Sequence, residues 1–208
     1  MNFLGIDTTS KNELIVAHIN GKDYMQFNIG AKHSEGLLTH VEELLTKAKA
    51  TLNDIDVFGN ISGPGSFTGI RIGLTTIKAF ASALRKPVVN VSRFDVLSTI
   101  CSGYVVLECT KSSVYYAFIN DGNIEYGVSD TAKLVDVINP QNTVHVLDCE
   151  HLTLPDAYKN IVTINNYHEY VLPYMLNKAK KGETHSSNEI TPLYIQLSQA
   201  ERNWGDTK

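Results

Sequence analysis

The sequence predicts an α/β protein of two lobes that share the order βββαβα, the second lobe in reduced form. Three observations carry that reading. Apolar runs of strand length alternate with longer stretches whose apolar residues recur at helical spacing. Asn20-Gly21 and Asp121-Gly122 each lie between two such runs, which is a hairpin signal. The order found in residues 1–100 returns in residues 103–208, so the boundary is expected near residues 101–103.

The first lobe opens with an apolar segment over residues 2–7, followed by runs at 13–19 and 24–29. Over 33–50, Leu37, Leu38, Val41, Leu44, Leu45 and Ala48 recur at helical spacing, and Ser34 is available as the cap. Residues 56–62 read as a buried strand, after which a glycine-rich segment breaks the chain before a helix over 68–84. A strand at 87–91 and a helix at 93–100 close the lobe. The second lobe reads as strands at 104–109, 114–120 and 123–126, then a helix at 131–138 and a strand at 144–148. A poorly patterned stretch around 156–159, a strand at 161–164 and a helix at 167–181 complete it. The two openings also align, Leu4-Gly5-Ile6-Asp7 with Val106-Leu107-Glu108 and Ala17-His18-Ile19-Asn20-Gly21 with Ala117-Phe118-Ile119-Asn120-Asp121. A duplicated βββαβα with an acidic residue ending its first strand is the logic of two ribonuclease-H-like lobes facing each other across a cleft.

Composition bounds the function. With 43% apolar and 19% charged residues in 208, the chain can bury enough surface to fold, which excludes intrinsic disorder. No run approaches the roughly 18 consecutive apolar residues of a membrane span, and the start lacks the basic stretch and cleavage site of a signal peptide. A cytoplasmic location and no membrane partner are expected. Cys101, Cys109 and Cys149 are an odd set without a C-x-x-C pair, which argues against a disulfide framework and a zinc ribbon. The net charge of -4 divides into +1 over residues 1–100 and -5 over the rest. A chain that gripped nucleic acid alone would show a basic stripe. The one short cluster, Lys178, Lys180 and Lys181, reads as favourable charge at a helix C-terminus before Gly182.

Gly63-Pro64-Gly65-Ser66-Phe67-Thr68-Gly69 lies between a strand and a helix, where backbone N–H groups and the helix dipole can receive an anion. Asp7, Gly63, Gly65, Ser66, Thr68 and Gly69 are the candidate phosphate- or nucleotide-facing residues, and a tight turn that binds nothing is the alternative. The segment fits neither a Walker loop, which needs a lysine, nor a dinucleotide fingerprint or nucleophile elbow, whose required glycines are here Thr68 and Pro64. In the following helix, Ile70, Leu74, Ile77, Ala81 and Leu84 form one apolar stripe, while Ile72, Ala79, Phe80 and Ala83 extend the apolar arc beyond what one sheet requires. That helix sits either between its own sheet and the preceding helix or against a second chain as well.

The run from Ser62 through Gly63-Pro64-Gly65-Ser66-Phe67-Thr68-Gly69 to Leu74 resembles the signature of the TsaB (YeaZ) family. Three other stretches agree: Leu4-Gly5-Ile6-Asp7-Thr8-Thr9-Ser10, Lys32-His33-Ser34 to Leu38, and Thr191-Pro192-Leu193-Tyr194-Ile195. The resemblance implies an ASKHA fold (actin-like ATPase and ribonuclease-H-like) with a reduced second lobe. It further implies the non-catalytic, dimerising and activating subunit of the machinery that makes N6-threonylcarbamoyladenosine at adenosine 37 of tRNA. Such a subunit pairs with its catalytic paralogue TsaD and the ATPase TsaE, forms a homodimer when alone, and meets tRNA only indirectly. Leu37, Val41, Leu44, Ile72, Thr76, Ala79 and Ala83 are the expected partner contacts, on the two helices 33–50 and 68–84. Two departures stand out: Glu108-Cys109-Thr110-Lys111-Ser112-Ser113 lacks the arginine and glycine usual in the family, and Gln196 replaces a common arginine.

No catalytic residues and no metal ligands are expected. His33 and His40 are seven apart, on the order of 10 Å along a helix, too far for one metal ion, so the peptidase reading lacks both a metal site and a nucleophile. The competing class is an independent ATP-dependent phosphotransferase of the ASKHA superfamily, with Asp7 holding Mg²⁺ through water. Gly103, Gly122, Gly127 and Gly182 are isolated and supply no second glycine loop for it. No tightly bound cofactor is expected, with at most weak ATP, ADP or Mg²⁺ binding at the complex interface.

Overall fold

Strands covered on both faces read as unbroken apolar runs rather than alternating ones. That is the pattern of β1 (Phe3–Asp7) and β4 (Val57–Ile61), whose residues are all buried. The computed structural model describes residues 1–30 and 33–196, with the side chains of His33 and Ser34 outside that description. Lys32 and the Ser34 cap expected from sequence fall outside the described residues. The chain divides into two units, Met1–Ile100 with Asn166–Pro192, and Cys101–Asn165 with the segment that starts at Leu193.

In the first unit, β2 (Glu13–Ile19) and β3 (Lys22–Asn28) form the predicted hairpin, and β5 (Val88–Val91) completes a five-stranded sheet of order β3-β2-β1-β4-β5. Asn20 and Gly21 both take positive φ (52° and 77°) at the hairpin turn, the conformation that Asn-Gly favours. β1 pairs antiparallel with β2 and parallel with β4, and β4 parallel with β5. This is the ribonuclease-H-like order. Helices α1 (His33–Lys47) and α2 (Phe67–Leu84) cover one face. Their Leu37, Val41, Leu44, Leu74 and Ile77 join Leu4, Ile6, Ile15 and Phe58 in one core.

The opposite face belongs to α5 (Tyr167–Lys180), and here the structure corrects the expected lobe 103–208. The apolar side of α5 buries Val171, Leu172, Met175, Leu176 and Ala179. The fit is close: a Cβ on Gly5 or Gly59 would meet Met175 Sδ at 3.0 and 2.8 Å, so two glycines in adjacent buried strands make the seat for that thioether. The chain therefore returns to its first sheet after residue 165, and the final helix is a layer of the first unit. After α5 the chain adds an antiparallel bridge between Val88 and His185 and buries Ile190 in the α1/α2 core.

The second unit carries its own five-stranded sheet, order β10-β9-β6-β7-β8, from β6 (Gly103–Thr110), β7 (Ser113–Asn120), β8 (Asn123–Asp130), β9 (Val144–Leu147) and β10 (Ile161–Thr163). The β6-β7-β8 meander and parallel β9 repeat the pairing logic of the first sheet. β8 runs four residues past the expected Tyr126, because Gly127 leaves space for Tyr116, whose hydroxyl lies 2.6 Å from where its Cβ would be. The helix expected at 131–138 is a 3-10 turn, Thr131–Lys133, followed by the four-residue α4, Leu134–Val137. Leu134, Ile138 and Tyr158 close that core on Val106, Val114, Val144 and Val146.

Candidate functional site

β1 ends at Asp7, and the chain continues through Thr8 and Thr9 directly beneath the glycine-rich segment. Asp7 Oδ1 accepts from the Thr9 N–H at 2.8 Å and from Thr9 Oγ1 at 2.6 Å. Asp7 Oδ2 accepts from the Tyr167 hydroxyl at 3.2 Å. The carboxylate is buried, and both of its oxygens are engaged by its own chain. Burial, with the Asp7 charge second, pushes the Tyr167 phenol well above its ordinary value, so it stays protonated and donates. Arg93, buried beside them, holds its guanidinium carbon 5.3 Å from the centre of the Tyr167 ring.

The glycine segment is clasped onto β1. Ser66 N–H donates to Thr9 O at 2.6 Å, and Thr8 Oγ1 donates to Gly69 O at 2.7 Å. A Cβ on Gly65 would meet Thr9 O at 2.1 Å, one on Gly69 would meet Thr8 O at 1.9 Å, and one on Gly73 would meet Thr8 Oγ1 at 2.4 Å. The absent side chains thus make room for the backbone of Thr8 and Thr9. Gly63, at φ 126°, accepts from Arg93 N–H at 2.7 Å, which joins the segment to the start of α3 (Arg93–Leu97). Ser66 caps α2 through Oγ to Gly69 N–H, while Thr68 is exposed. The structure brings Asp7, Gly63, Gly65, Ser66 and Gly69 together, around the protein's own strand end. These residues do not fit an Mg²⁺–nucleotide: the carboxylate and the cradle are occupied by Thr8, Thr9 and Tyr167.

The expected partner surface divides. Leu37, Val41 and Leu44 are only 3%, 2% and 2% exposed, so the structure corrects them from partner contacts to residues of the α1–sheet core. Ile72 is half-buried and packs on that core. Thr76 is half-buried, and Ala79 and Ala83 are exposed together with Thr75 and Ser82 along the outer face of α2. On α1 the large apolar residue left in solvent is Leu38, 63% exposed.

Three further features escaped the sequence reading. Tyr167 lies 160 residues from Asp7, and nothing local announces their contact. Arg93 carries a readable signal, since Ser92 and Asp95 around it form a capping box. His40 Nδ1 lies 2.6 Å from Oε1 of fully buried Glu13, whose same oxygen accepts from Asn28 Nδ2, tying α1 to the β2–β3 hairpin. In the second unit the two departures from the family pattern meet, with Cys109 Sγ donating to Gln196 Oε1 at 3.0 Å. Among the described residues no group of three or more His, Cys, Asp or Glu is placed to hold a metal ion, and no helix is long and apolar enough to cross a membrane.

Residues 28–141 match the family model described as TsaD, tRNA N6-adenosine threonylcarbamoyltransferase. The tRNA threonylcarbamoyladenosine biosynthesis protein TsaB of Escherichia coli is 31% identical over 104 residues, 50% of this chain and 44% of that protein. The tRNA N6-adenosine threonylcarbamoyltransferase of Staphylococcus haemolyticus is 42% identical over 127 residues, 52% of this chain and 37% of that protein. The chain thus spans less than half the length of these curated relatives. Among solved structures, YeaZ from Pseudomonas aeruginosa superposes with a TM-score of 0.74 at 20% identity, over 93% of this chain and 99% of that one. With the strand order of both sheets, that likeness makes the fold ASKHA-like. The family model covers more than half of the sequence, and the chain belongs to the tRNA N6-adenosine threonylcarbamoyltransferase (TsaD) family.

Proposed function

We propose that this chain is the non-catalytic, dimerising and activating subunit of the machinery that forms N6-threonylcarbamoyladenosine at adenosine 37 of tRNA. Its partners in this reading are the catalytic paralogue TsaD and the ATPase TsaE, and a second copy of itself takes the same surface when TsaD is absent. The observation that carries the reading is the contrast between two features of the first unit. Asp7 and the glycine segment are closed on their own chain, while α2 leaves Thr75, Ala79, Ser82 and Ala83 in solvent, small residues that admit the close approach of a second helix. A phosphotransferase would need Asp7 and the glycine segment open, and both would first have to release Thr9 and Tyr167. No tightly bound cofactor is required, and any weak ATP, ADP or Mg²⁺ binding belongs at the complex interface.

Size-exclusion chromatography with the catalytic paralogue tests the surface. Ala79→Glu and Ala83→Glu are the informative substitutions, since exposed positions change stability by about 0.5 kcal/mol or less, whereas Ile72→Glu would also disturb the core on which Ile72 packs. Wild-type chain co-elutes with the paralogue and the two variants do not. Co-elution of both variants at wild-type affinity refutes the α2 face as the contact.

A further inference from the structure

The first sheet has two ends. Asp7 and the glycine segment occupy the end where β1, β4 and β5 finish. At the other end Phe3 pairs with His18 and Val57, Phe58 with Val88, and Ile19 with Lys22, so the starts of β1, β4 and β5 converge with the β2–β3 turn. Two cavities open there. One, about 490 Å³, lies between the end of α2 and the segment after α5, with Arg85, Lys86 and His185 in its lining beside the hydroxyls of Ser82, Thr184 and Ser187. The other, about 410 Å³, lies between the β2–β3 turn and the end of α1, with Lys22, Lys47 and Lys49 beside Asn20 and Tyr24. No carboxylate lines either cavity. Asn2 links the two, donating its N–H to Asp56 Oδ2 at 2.7 Å while its Oδ1 accepts from Asn20 N–H at 2.9 Å; Lys86 Nζ lies 3.9 Å from Asp56 Oδ1.

The carboxylates at this end lie outside both linings and accept hydrogen bonds from their own chain. Asp23 pairs with His18 at 2.5 Å, Asp54 accepts from Thr51, Asp56 from Asn2, and Glu189 from the Ser186 N–H and hydroxyl. Lys22, Lys47, Lys49 and Arg85 have no ion-pair partner among the described residues. Helix C-terminal charge accounts for Lys47, but Lys22 and His185 lie on no helix. Lys49 and Arg85 stand in left-handed conformation (φ 55° and 52°) just past α1 and α2, positions where glycine is the comfortable residue.

We propose that this rim, from Lys22, Lys47 and Lys49 across to Arg85, Lys86 and His185, is a binding surface for the phosphate backbone of an RNA strand. Spaced cations with hydroxyl and amide donors between them suit successive phosphates, and phosphate contacts of this kind position a nucleic acid without reading its bases. The linings offer no apolar wedge for a membrane. The acidic total of the chain hides the rim because its lysines and arginine come from three separate segments. The inference goes beyond the subunit role and uses neither Asp7 nor Ala79 and Ala83, and Ser82 at the end of α2 is the residue the two surfaces share.

The test is fluorescence anisotropy of the whole chain with a labelled RNA hairpin across potassium chloride from about 50 to 200 mM. The comparison is the quadruple variant Lys22→Gln, Lys47→Gln, Lys49→Asn and Arg85→Asn, in which asparagine tolerates the left-handed positions. Wild-type chain binds with a log–log salt slope of about -0.7 to -0.9 per phosphate neutralised, and the variant loses about tenfold in affinity and about three from the slope. Lys22→Gln alone lowers the slope by about one, which keeps the test independent of how the quadruple variant folds. No binding at about 50 mM salt, or binding that both variants leave unchanged, overturns the proposal, and neither outcome touches the co-elution result.

Discussion

Replacing Gly69 by alanine tests whether the glycine segment is clasped on β1 rather than held open. The added Cβ would lie 1.9 Å from Thr8 O and 3.1 Å from Thr8 C, both backbone atoms of a buried residue, so no side-chain swing relieves the clash. To restore a contact of about 3.2 Å the first turn of α2 must lift by about 1.3 Å, which is overpacking of the kind that costs roughly 1–3 kcal/mol. The lift also strains the Thr8 Oγ1 to Gly69 O hydrogen bond, worth about 1 kcal/mol. Alanine returns up to about 1 kcal/mol of helix propensity in the first turn of α2. The net destabilisation is about 1–3 kcal/mol, or a fall in melting temperature of about 2–12 °C for a chain of this size. Thermal unfolding followed by circular dichroism measures it. A variant that melts at or above the wild type refutes the clasp.

Three further outcomes follow from the same geometry. Tyr167→Phe removes the donor to Asp7 Oδ2 and lowers stability by about 1–3 kcal/mol at neutral pH, measured by urea unfolding. Because the folded-state pKa of Tyr167 is raised above its unfolded value of 10.0, its contribution is fully present below pH 10.0 and is lost as pH rises beyond it. The alkaline fall in stability is therefore shallower in Tyr167→Phe than in wild type. Burial pushes the Cys149 thiol up to about 11, so at pH 8 only about one thiol in a thousand is thiolate, and iodoacetamide followed by mass spectrometry leaves Cys149 unmodified in the folded chain but labels it in urea.

Much of the local structure was legible. Asn20-Gly21 and Asp121-Gly122 both became turns with two positive φ angles, because that dipeptide chemistry admits few other conformations. The glycine segment between β4 and α2 was legible as a place of close approach, but not what approaches it: glycine spacing fits a phosphate or the backbone of Thr8 equally well. Periodicity marked Leu37, Val41 and Leu44 as one face of a helix, and could not say whether that face meets its own sheet or another chain. The docking of α5 left only an indirect trace, the glycines at positions 5 and 59 in otherwise apolar strands, whose partner Met175 lies more than a hundred residues on. The basic rim left none, since no single stretch of sequence carries more than two of its cations.

Reconstitution with the catalytic paralogue, the ATPase and tRNA decides between an activating subunit and an enzyme, with N6-threonylcarbamoyladenosine read by chromatography and mass spectrometry of the digested tRNA. A non-catalytic activating subunit predicts no product from this chain alone, product when it joins the paralogue, and loss of that product with Ala79→Glu and Ala83→Glu combined. Product formed by this chain alone, or full activity with the doubly substituted chain, would contradict it.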